Sequence, residues 1–356
     1  MRPISAVDCV APAIQRTREF LFRPFSWGTF LKLGLVAVIT EGLWSSSNSS
    51  SHGAHPSGRF PSGHGPLIHS PFDLTPLMVA EGVAALLLAF VVSAFVFYLI
   101  TRLRFAFFHC LIRNTKEIRP GWQLYRAQAG RFFWLNLAVG ICFLLVVALV
   151  AIPFVFGFIR LIHDTPHGGH PNIAVLLSLV LPLIPIIILL VLAGVVTDIT
   201  LRDWMLPHFA LENATPGQAW AQVWARIKAE KTQFFVYLLL RLVLPAIALV
   251  AMFTVLLLPG IFLVWAVAAL ELGLHSVFAD STGGAAVVGI LLQVFFGVIA
   301  FAFAVLAGIC LGGPVSTGVR EWALVFYGGR YRALGDILYP PLPPPPPPLT
   351  RAPEFL

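Results

Sequence analysis

The sequence predicts an all-α integral membrane protein: a six-span transmembrane helical bundle with interfacial amphipathic helices and signs of a parallel internal repeat. Three observations predict it. Hydrophobic residues fill 58% of the 356 positions and charged residues only 11%, against roughly 25% charged in a soluble domain. Mean hydropathy is +0.87, and apolar runs exceed the roughly 20 residues needed to cross a hydrocarbon core. The basic residues, in turn, cluster between alternate apolar runs. One membrane domain, 1–336, takes up nearly everything, followed by a proline-rich tail, 337–356. No stretch remains for a soluble catalytic domain.

The predicted spans fall at about 25–44, 77–100, 132–160, 173–200, 232–258 and 285–312. With the N-terminus inside, nineteen of the 23 Lys and Arg residues lie in inside segments. Only Arg59 and Arg160 lie outside, and Lys32 and Arg241 lie within spans. The positive-inside rule then places both termini in the cytoplasm, as in a bacterial inner membrane. The net charge of +7 reads as topology and as attraction to anionic lipid headgroups at the inner face. No basic arm with interleaved aromatics points to nucleic acid. The start of the chain lacks a charged-then-apolar leader, so the first span is expected to act as an uncleaved signal.

Residues 261–278 allow two readings. A seventh span would put Arg320, Arg330 and Arg332 outside, against the charge rule. The preferred reading is a re-entrant or interfacial helix between Pro259-Gly260 and Gly283-Gly284. Residues 77–113 and 173–212 run on without a strong break. At 1.5 Å per residue both outrun a core of about 30 Å, so they should project on the inner side. Pro182 and Pro185 should kink the second.

Amphipathic helices are predicted in the inner segments. Thr215, Pro216 and Gln218 read as N-cap, first helical position and capping-box partner. Trp220, Val223, Trp224 and Ile227 follow at helical spacing, with Gln222, Arg226 and Lys228 off that stripe. A weaker equivalent starts at Pro120-Gly121 with Trp122, Tyr125 and Arg126. Val7, Val10, Ile14, Thr17 and Leu21 form an N-terminal stripe. Val315, Val319, Trp322 and Phe326 form a C-terminal one, closed by Gly328-Gly329. Aromatics beside cations suit the membrane interface, making Trp122, Trp220, Trp224, Arg226 and Trp322 candidate lipid contacts.

The inner segments also hint at duplication. His109 and Asn114 are five apart, as are His208 and Asn213. Pro120-Gly121 and Pro216-Gly217 follow, then spans opening on Phe132-Phe133 and Phe234-Phe235. Equal orientation would make this a parallel repeat. The competing reading is that helical hairpins in a membrane resemble one another anyway. The outside loop 45–72, rich in Ser, Gly, His and Pro, is expected to be flexible. The prolines 343–348 favour a polyproline II tail. It is read as disordered, with docking on a protein partner as the alternative.

Charges inside spans are the first place to seek function. Glu41, Glu81, Arg241 and Glu271 are the candidate membrane-buried charges. Glu41 and Glu81 end span 1 and begin span 2, so both are expected near the outer face. There they could bind a cation or relay protons, or simply mark the wet boundary. Lys32 and Arg241 are near enough to the inner face to snorkel, and Asp198 pairs with Arg202 at i, i+4. His163, His167 and His170 have metal-ligand spacing if helical. Pro166 and Gly168-Gly169 argue for a polar loop instead. Cys9, Cys110, Cys142 and Cys310 are isolated, against a disulfide framework. No cofactor or metal is predicted. No GxSxG, HExxH, P-loop or GxGxxG fingerprint occurs in a fitting context, so no enzyme is predicted.

Three stretches carry a resemblance: RTREFLFRPFSWGTFLKLGLVAVITEG (16–42), DITLRDWMLPHFALENATPGQAWAQVWARIKAEKTQFFVYLLLRLVL (198–244) and REWALVFYGGRYRALGD (320–336). They resemble a bacterial and archaeal family of uncharacterised polytopic membrane proteins. More distantly, the architecture is similar to the six-span membrane domain attached to some glycerophosphodiester phosphodiesterases. The resemblance implies a multi-span fold with interfacial inner helices and no reaction, because the soluble phosphodiesterase domain is absent. The sequence thus leads to a membrane protein of unknown activity, first a non-enzymatic scaffold or lipid-interacting protein. The alternative is a transporter or channel for a small solute or ion.

Overall fold

The computed structural model describes residues 5–41, 76–164, 173–278 and 284–340. The loop 45–72, His167, His170 and the prolines 343–348 lie outside the described residues. Among the described residues every regular element is helical. The order is α1 (Val10–Phe22), α2 (Trp27–Glu41), α3 (Pro76–Arg113), α4 (Ile118–Leu124), α5 (Arg126–Asp164) and α6 (Ile173–Ile199). A π-helical turn, Thr200–Met205, leads into α7 (Leu206–Leu211), α8 (Pro216–Ala229), α9 (Lys231–Phe278), α10 (Gly284–Gly328) and α11 (Arg332–Leu338).

Among the described residues five segments are long and apolar enough to cross a membrane: Ala80–Arg113, Arg126–Leu161, Leu176–Leu211, Lys231–Leu270 and Val287–Gly328. The first predicted span is not among them. Its described part, α2, has 15 residues, about 22 Å at 1.5 Å per residue, against a core of about 30 Å. Residues 261–278 also differ from expectation, because α9 runs unbroken through Pro245 and Pro259. A proline deletes one backbone hydrogen bond, but in apolar surroundings no water replaces the rest, so the helix continues. In the same way α10 passes through Pro314. The predicted C-terminal stripe therefore forms the last turns of α10 rather than a separate helix.

Among the described residues the buried core lies at one end of the long helices. Phe105, Phe107 and Phe108 of α3, Phe132 of α5, Trp204 and Phe209 meet Phe234 and Tyr237 of α9 and Trp322, Phe326 and Tyr327 of α10. The rings interlock, with Trp204 edge-on to Phe234 at 4.9 Å and Tyr237 stacked on Phe326 at 4.4 Å. The short helices α1, α2, α4, α8 and α11 wrap this core. Beyond it the long helices carry exposed Leu, Ile, Val and Phe.

Local chemistry fixes how the short helices dock. Gly34 of α2 and Gly313 of α10 bring two backbones together, since a Cβ on Gly313 would lie 2.7 Å from Gly34 Cα. Small residues permit such contact between helices in a membrane. Asn114 and Asn213 both have positive φ, 51° and 53°, the left-handed conformation that Asn tolerates at a helix end. The predicted capping box of α8 is present, with Gln218 N–H donating to Thr215 Oγ at 3.4 Å and Thr215 N–H to Gln218 Oε1 at 3.1 Å. The α8 stripe divides, however. Ala219 and Val223 face the core, while Trp220 and Trp224 face outward. On α1 the buried face is Ala13, Thr17, Phe20 and Leu21, and Val7 and Ile14 of the predicted stripe are exposed. Leu334 and Leu338 are buried, so α11 carries the packed chain past the predicted boundary at 336.

Candidate functional site

Where α6 leaves its apolar run, the sequence places Asp198, Arg202 and Asp203 within six residues. The π-helical turn carries Arg202 and Asp203 into the packed end, and all six of its residues are buried. Such turns widen a helix by one residue and are frequent at functional sites.

Four elements supply charges to this point. Asp203 accepts hydrogen bonds from Arg320 Nη1 at 2.9 Å, Arg241 Nε at 3.1 Å and the Tyr237 hydroxyl at 2.8 Å. Glu41, the last residue of α2, accepts from Arg241 Nη2 at 3.2 Å and Arg202 Nη1 at 3.4 Å, and faces Arg320 Nε at 3.8 Å. Arg202 also donates to the Glu41 carbonyl at 2.9 Å, and Arg104 donates to the Thr40 carbonyl at 3.0 Å. These two arginines satisfy carbonyls that the end of α2 leaves without helical partners, and they complement its dipole. Arg202 reaches outward to the half-exposed Asp198 at 2.9 Å, as the i, i+4 spacing predicts. Three buried guanidinium groups thus face two buried carboxylates, with Asp198 as the third at the edge. Only Arg202 Nε is left buried without a partner within the cluster.

Each buried ion costs several kcal/mol to desolvate, so a cluster like this persists only when mutually paired. Here the pairing ties α2, the π-helical turn, α9 and α10 into one unit. The carboxylates are spent on arginines of the chain itself, which makes the cluster a fastening.

A second polar group lies beside it. His208 meets the Tyr327 hydroxyl through Nε2 at 2.7 Å and Glu212 through Nδ1 at 3.4 Å. Gln222 donates to Glu212 at 3.1 Å. Burial raises the Glu212 carboxyl, but Tyr331, Gln222 and His208 outweigh it and hold it below its ordinary value. Near the start of the chain, burial pushes the Cys9 thiol up to about 11.

Of the charges singled out from the sequence, Glu41 and Arg241 meet. Glu41 does not lie at an outer wet boundary, because its carboxylate is enclosed by arginines from the packed ends of α6, α9 and α10. Glu81 is exposed on the first turns of α3 and joins no cluster. The side chain of Glu271 lies outside the described residues. Sequence reasoning missed Asp203 and took Arg320 for one of the basic residues of an inside segment. The signal available was two adjacent opposite charges, Arg202-Asp203, directly after an apolar run.

The proposed lipid contacts also separate. Trp220 and Trp224 stack on each other at 5.8 Å and remain 47% and 44% exposed. Trp122 is half-buried, with the Arg102 guanidinium 4.2 Å over its ring. Trp322 does not face outward as Trp220 and Trp224 do. It is buried, stacks on Tyr237 at 4.6 Å and donates its indole N–H to the Ala6 carbonyl at 2.9 Å. Arg226 likewise turns inward, over the Tyr331 ring at 5.0 Å and onto the Arg330 carbonyl at 3.3 Å. The described residues hold no group of three His, Cys, Asp or Glu able to bind a metal.

Residues 4–337, nearly the whole chain, match the Family of unknown function (DUF7544). No curated protein and no solved structure matches, and the likeness to the membrane domain attached to glycerophosphodiester phosphodiesterases gains no support. A family match of this extent covers the packed end, the charge cluster and all five long helices together, and the chain belongs to the DUF7544 family.

Proposed function

We propose that the protein is a non-enzymatic, lipid-interacting multi-pass protein of a bacterial inner membrane, with its packed end at the cytoplasmic face. One observation carries this reading. Ile187, Ile188, Leu189 and Val191 of α6 are all largely exposed. Successive residues are about 100° apart round a helix, so apolar side chains face outward round most of it, and the half-buried side holds Leu183, Ile186 and Leu190, apolar as well. The exposed stretches of α3, α5, α9 and α10 have the same character. Helices apolar all round require an apolar surrounding, and lipid between them supplies it. The outward stack of Trp220 and Trp224, with Lys228 5.4 Å from the Trp224 ring, suits an interface carrying anionic headgroups.

The parity of the chain supports six crossings with both ends in the cytoplasm. Arg16 of α1 bonds Glu321 at 3.0 Å and the Leu338 carbonyl at 3.3 Å, so the first and last helices share one side. Five long helices alone would put them on opposite sides. The six crossings that the sequence predicts restore the match. The positive-φ residues Asn114 and Asn213, each five after a histidine, support the parallel repeat. Gly121 packs against Ala106 while Gly217 has open space, so the two units are not equivalent in detail.

Release of the protein from lipid nanodiscs into a mass spectrometer tests the reading. Phospholipid should remain bound in excess over protein. A protein that emerges lipid-free with unchanged helicity and melting temperature would overturn it. The meeting of Glu41 with Arg241 favours a second reading, a transporter or channel. Its mark would be cation or proton flux into proteoliposomes that is lost in Glu41→Gln.

A further inference from the structure

α1 does not lie flush on the long helices. Between it, α9 and α10 runs a groove of about 410 Å³. Its floor is Leu244 and Ala248 of α9 with Pro314, Val315 and Gly318 of α10, and its near wall is Ile14 and Thr17 of α1. Gly318 keeps it open by presenting no side chain to α1, its nearest neighbour being Thr17. A second, smaller groove shares Ala248 and Val315 and continues along α9 to Met252 and along α10 to Gly308. From Leu244 to Met252 the joined crevice rises about 12 Å along the helix. It is narrow and almost wholly apolar, and it begins one turn beyond Arg241.

Arg18 stands at the mouth. It is exposed and has no hydrogen-bond or ionic partner among the described residues. Phe22, Phe25 and Trp27 are exposed close by in sequence, so this edge of α1 presents apolar groups beside a cation, as helices at the membrane interface do. The same stretch of α9 carries the exposed apolar side chains Leu242, Val243 and Ile247. A linear apolar slot, continuous with a lipid-facing surface and headed by a free cation, matches one ligand class.

We propose that this crevice is a binding site for a single anionic phospholipid. One acyl chain lies lengthwise between α9 and α10, and the phosphate sits against Arg18. The site rests on the lipid-interacting reading above and gives it an address.

The test uses the full chain in nanodiscs containing phosphatidylglycerol with a photoreactive acyl chain, with peptide mapping of the adducts. Adducts should concentrate on α1, α9 and α10 around Ala248 and Val315. Ala248→Phe fills the slot and should cut labelling there about tenfold, as expected when a few methylenes lose their apolar contacts. Arg18→Ala lies on the surface and leaves the fold intact. It should lower the preference for phosphatidylglycerol over phosphatidylcholine about fivefold, the worth of one cation near an anionic surface, and Arg18→Lys should restore it. Adducts spread evenly over the long helices, with total bound phospholipid unchanged, would overturn the site while leaving the general reading standing. Loss of all bound phospholipid would overturn both. Labelling at the site that ignores Ala248→Phe and Arg18→Ala, with melting temperatures unchanged, would also overturn it.

Discussion

Asp203 takes three hydrogen bonds, two of them from arginines of different helices, with no edge left to water. Its replacement by alanine would strand Arg241 and Arg320 without that carboxylate, and breaking a buried pair typically costs about 3–5 kcal/mol. Asp203→Ala should therefore melt far below wild type in detergent, or fail to accumulate. Asp198→Ala removes a partner that is half exposed, and surface pairs are worth at most about 1 kcal/mol, so its melting should barely move. Equal shifts would contradict the fastening role of the cluster. Glu212 gives a pH-dependent companion. Its folded pKa is depressed, so its contribution is complete above the unfolded value of about 4.3 and is lost as pH falls through the folded one. Protection from hydrogen exchange at the α7–α8 junction, referred to the intrinsic rate at each pH, should fall below about pH 4, and Glu212→Gln should remove that fall. Glu41 and Arg241 were legible because a charge inside an apolar run stands out. Asp203 was not, because it follows the run and reads as part of a polar helical extension projecting from it. The π-helical turn that buries it has no residue signature.

At the scale of elements, sequence and structure agree where local chemistry decides. The Thr215–Gln218 box starts α8 because its partners are three residues apart and need nothing else. Disagreement appears where surroundings decide. Pro259-Gly260 would end a helix in water, yet α9 continues because a freed carbonyl in an apolar medium has no better partner. Burial of Trp322, against the exposure of Trp220 and Trp224, depends on which neighbour each helix face meets. Helical periodicity finds a stripe but not what covers it. The contact between α2 and α10 shows how finely that covering is set. Gly313→Ala puts a methyl 2.7 Å from the Gly34 backbone, where no side chain can swing aside. Overpacking of this kind costs about 1–3 kcal/mol, so melting should fall and α2 should become open to protease. Gly217→Ala, with nothing within 4 Å, should be neutral or raise stability by up to about 1 kcal/mol. Destabilisation by both alike would show that glycine flexibility, not close approach, governs these positions.

For the whole molecule, the balance of apolar and charged residues made the membrane class legible. The one-ended core was not legible. Nothing in a run of leucines and isoleucines distinguishes a helix packed on its neighbours from one standing in lipid, since both are apolar all round. Here the buried aromatic residues mark the packed end, although other aromatics stand exposed along the long helices. Phe105, Phe132, Trp204, Tyr237 and Phe326 gather at the packed end, where their ring contacts fix geometry, while aliphatic side chains dominate the far stretches of the five long helices. Such a design anchors the fold at one membrane face and leaves the rest to the bilayer, and it has a topological consequence that can be measured. Arg16 holds α1 to α10 and α11, so labels at either end of the chain should react from the same side of sealed vesicles. A cysteine placed at Arg160, at the far end of α5, should react only from the other side. Labels at the two ends reacting from opposite sides would mean that five helices make the only crossings. The Arg16 contacts would then have to be absent in the membrane, and the packed end would lose the clasp that joins the start of the chain to its last helix.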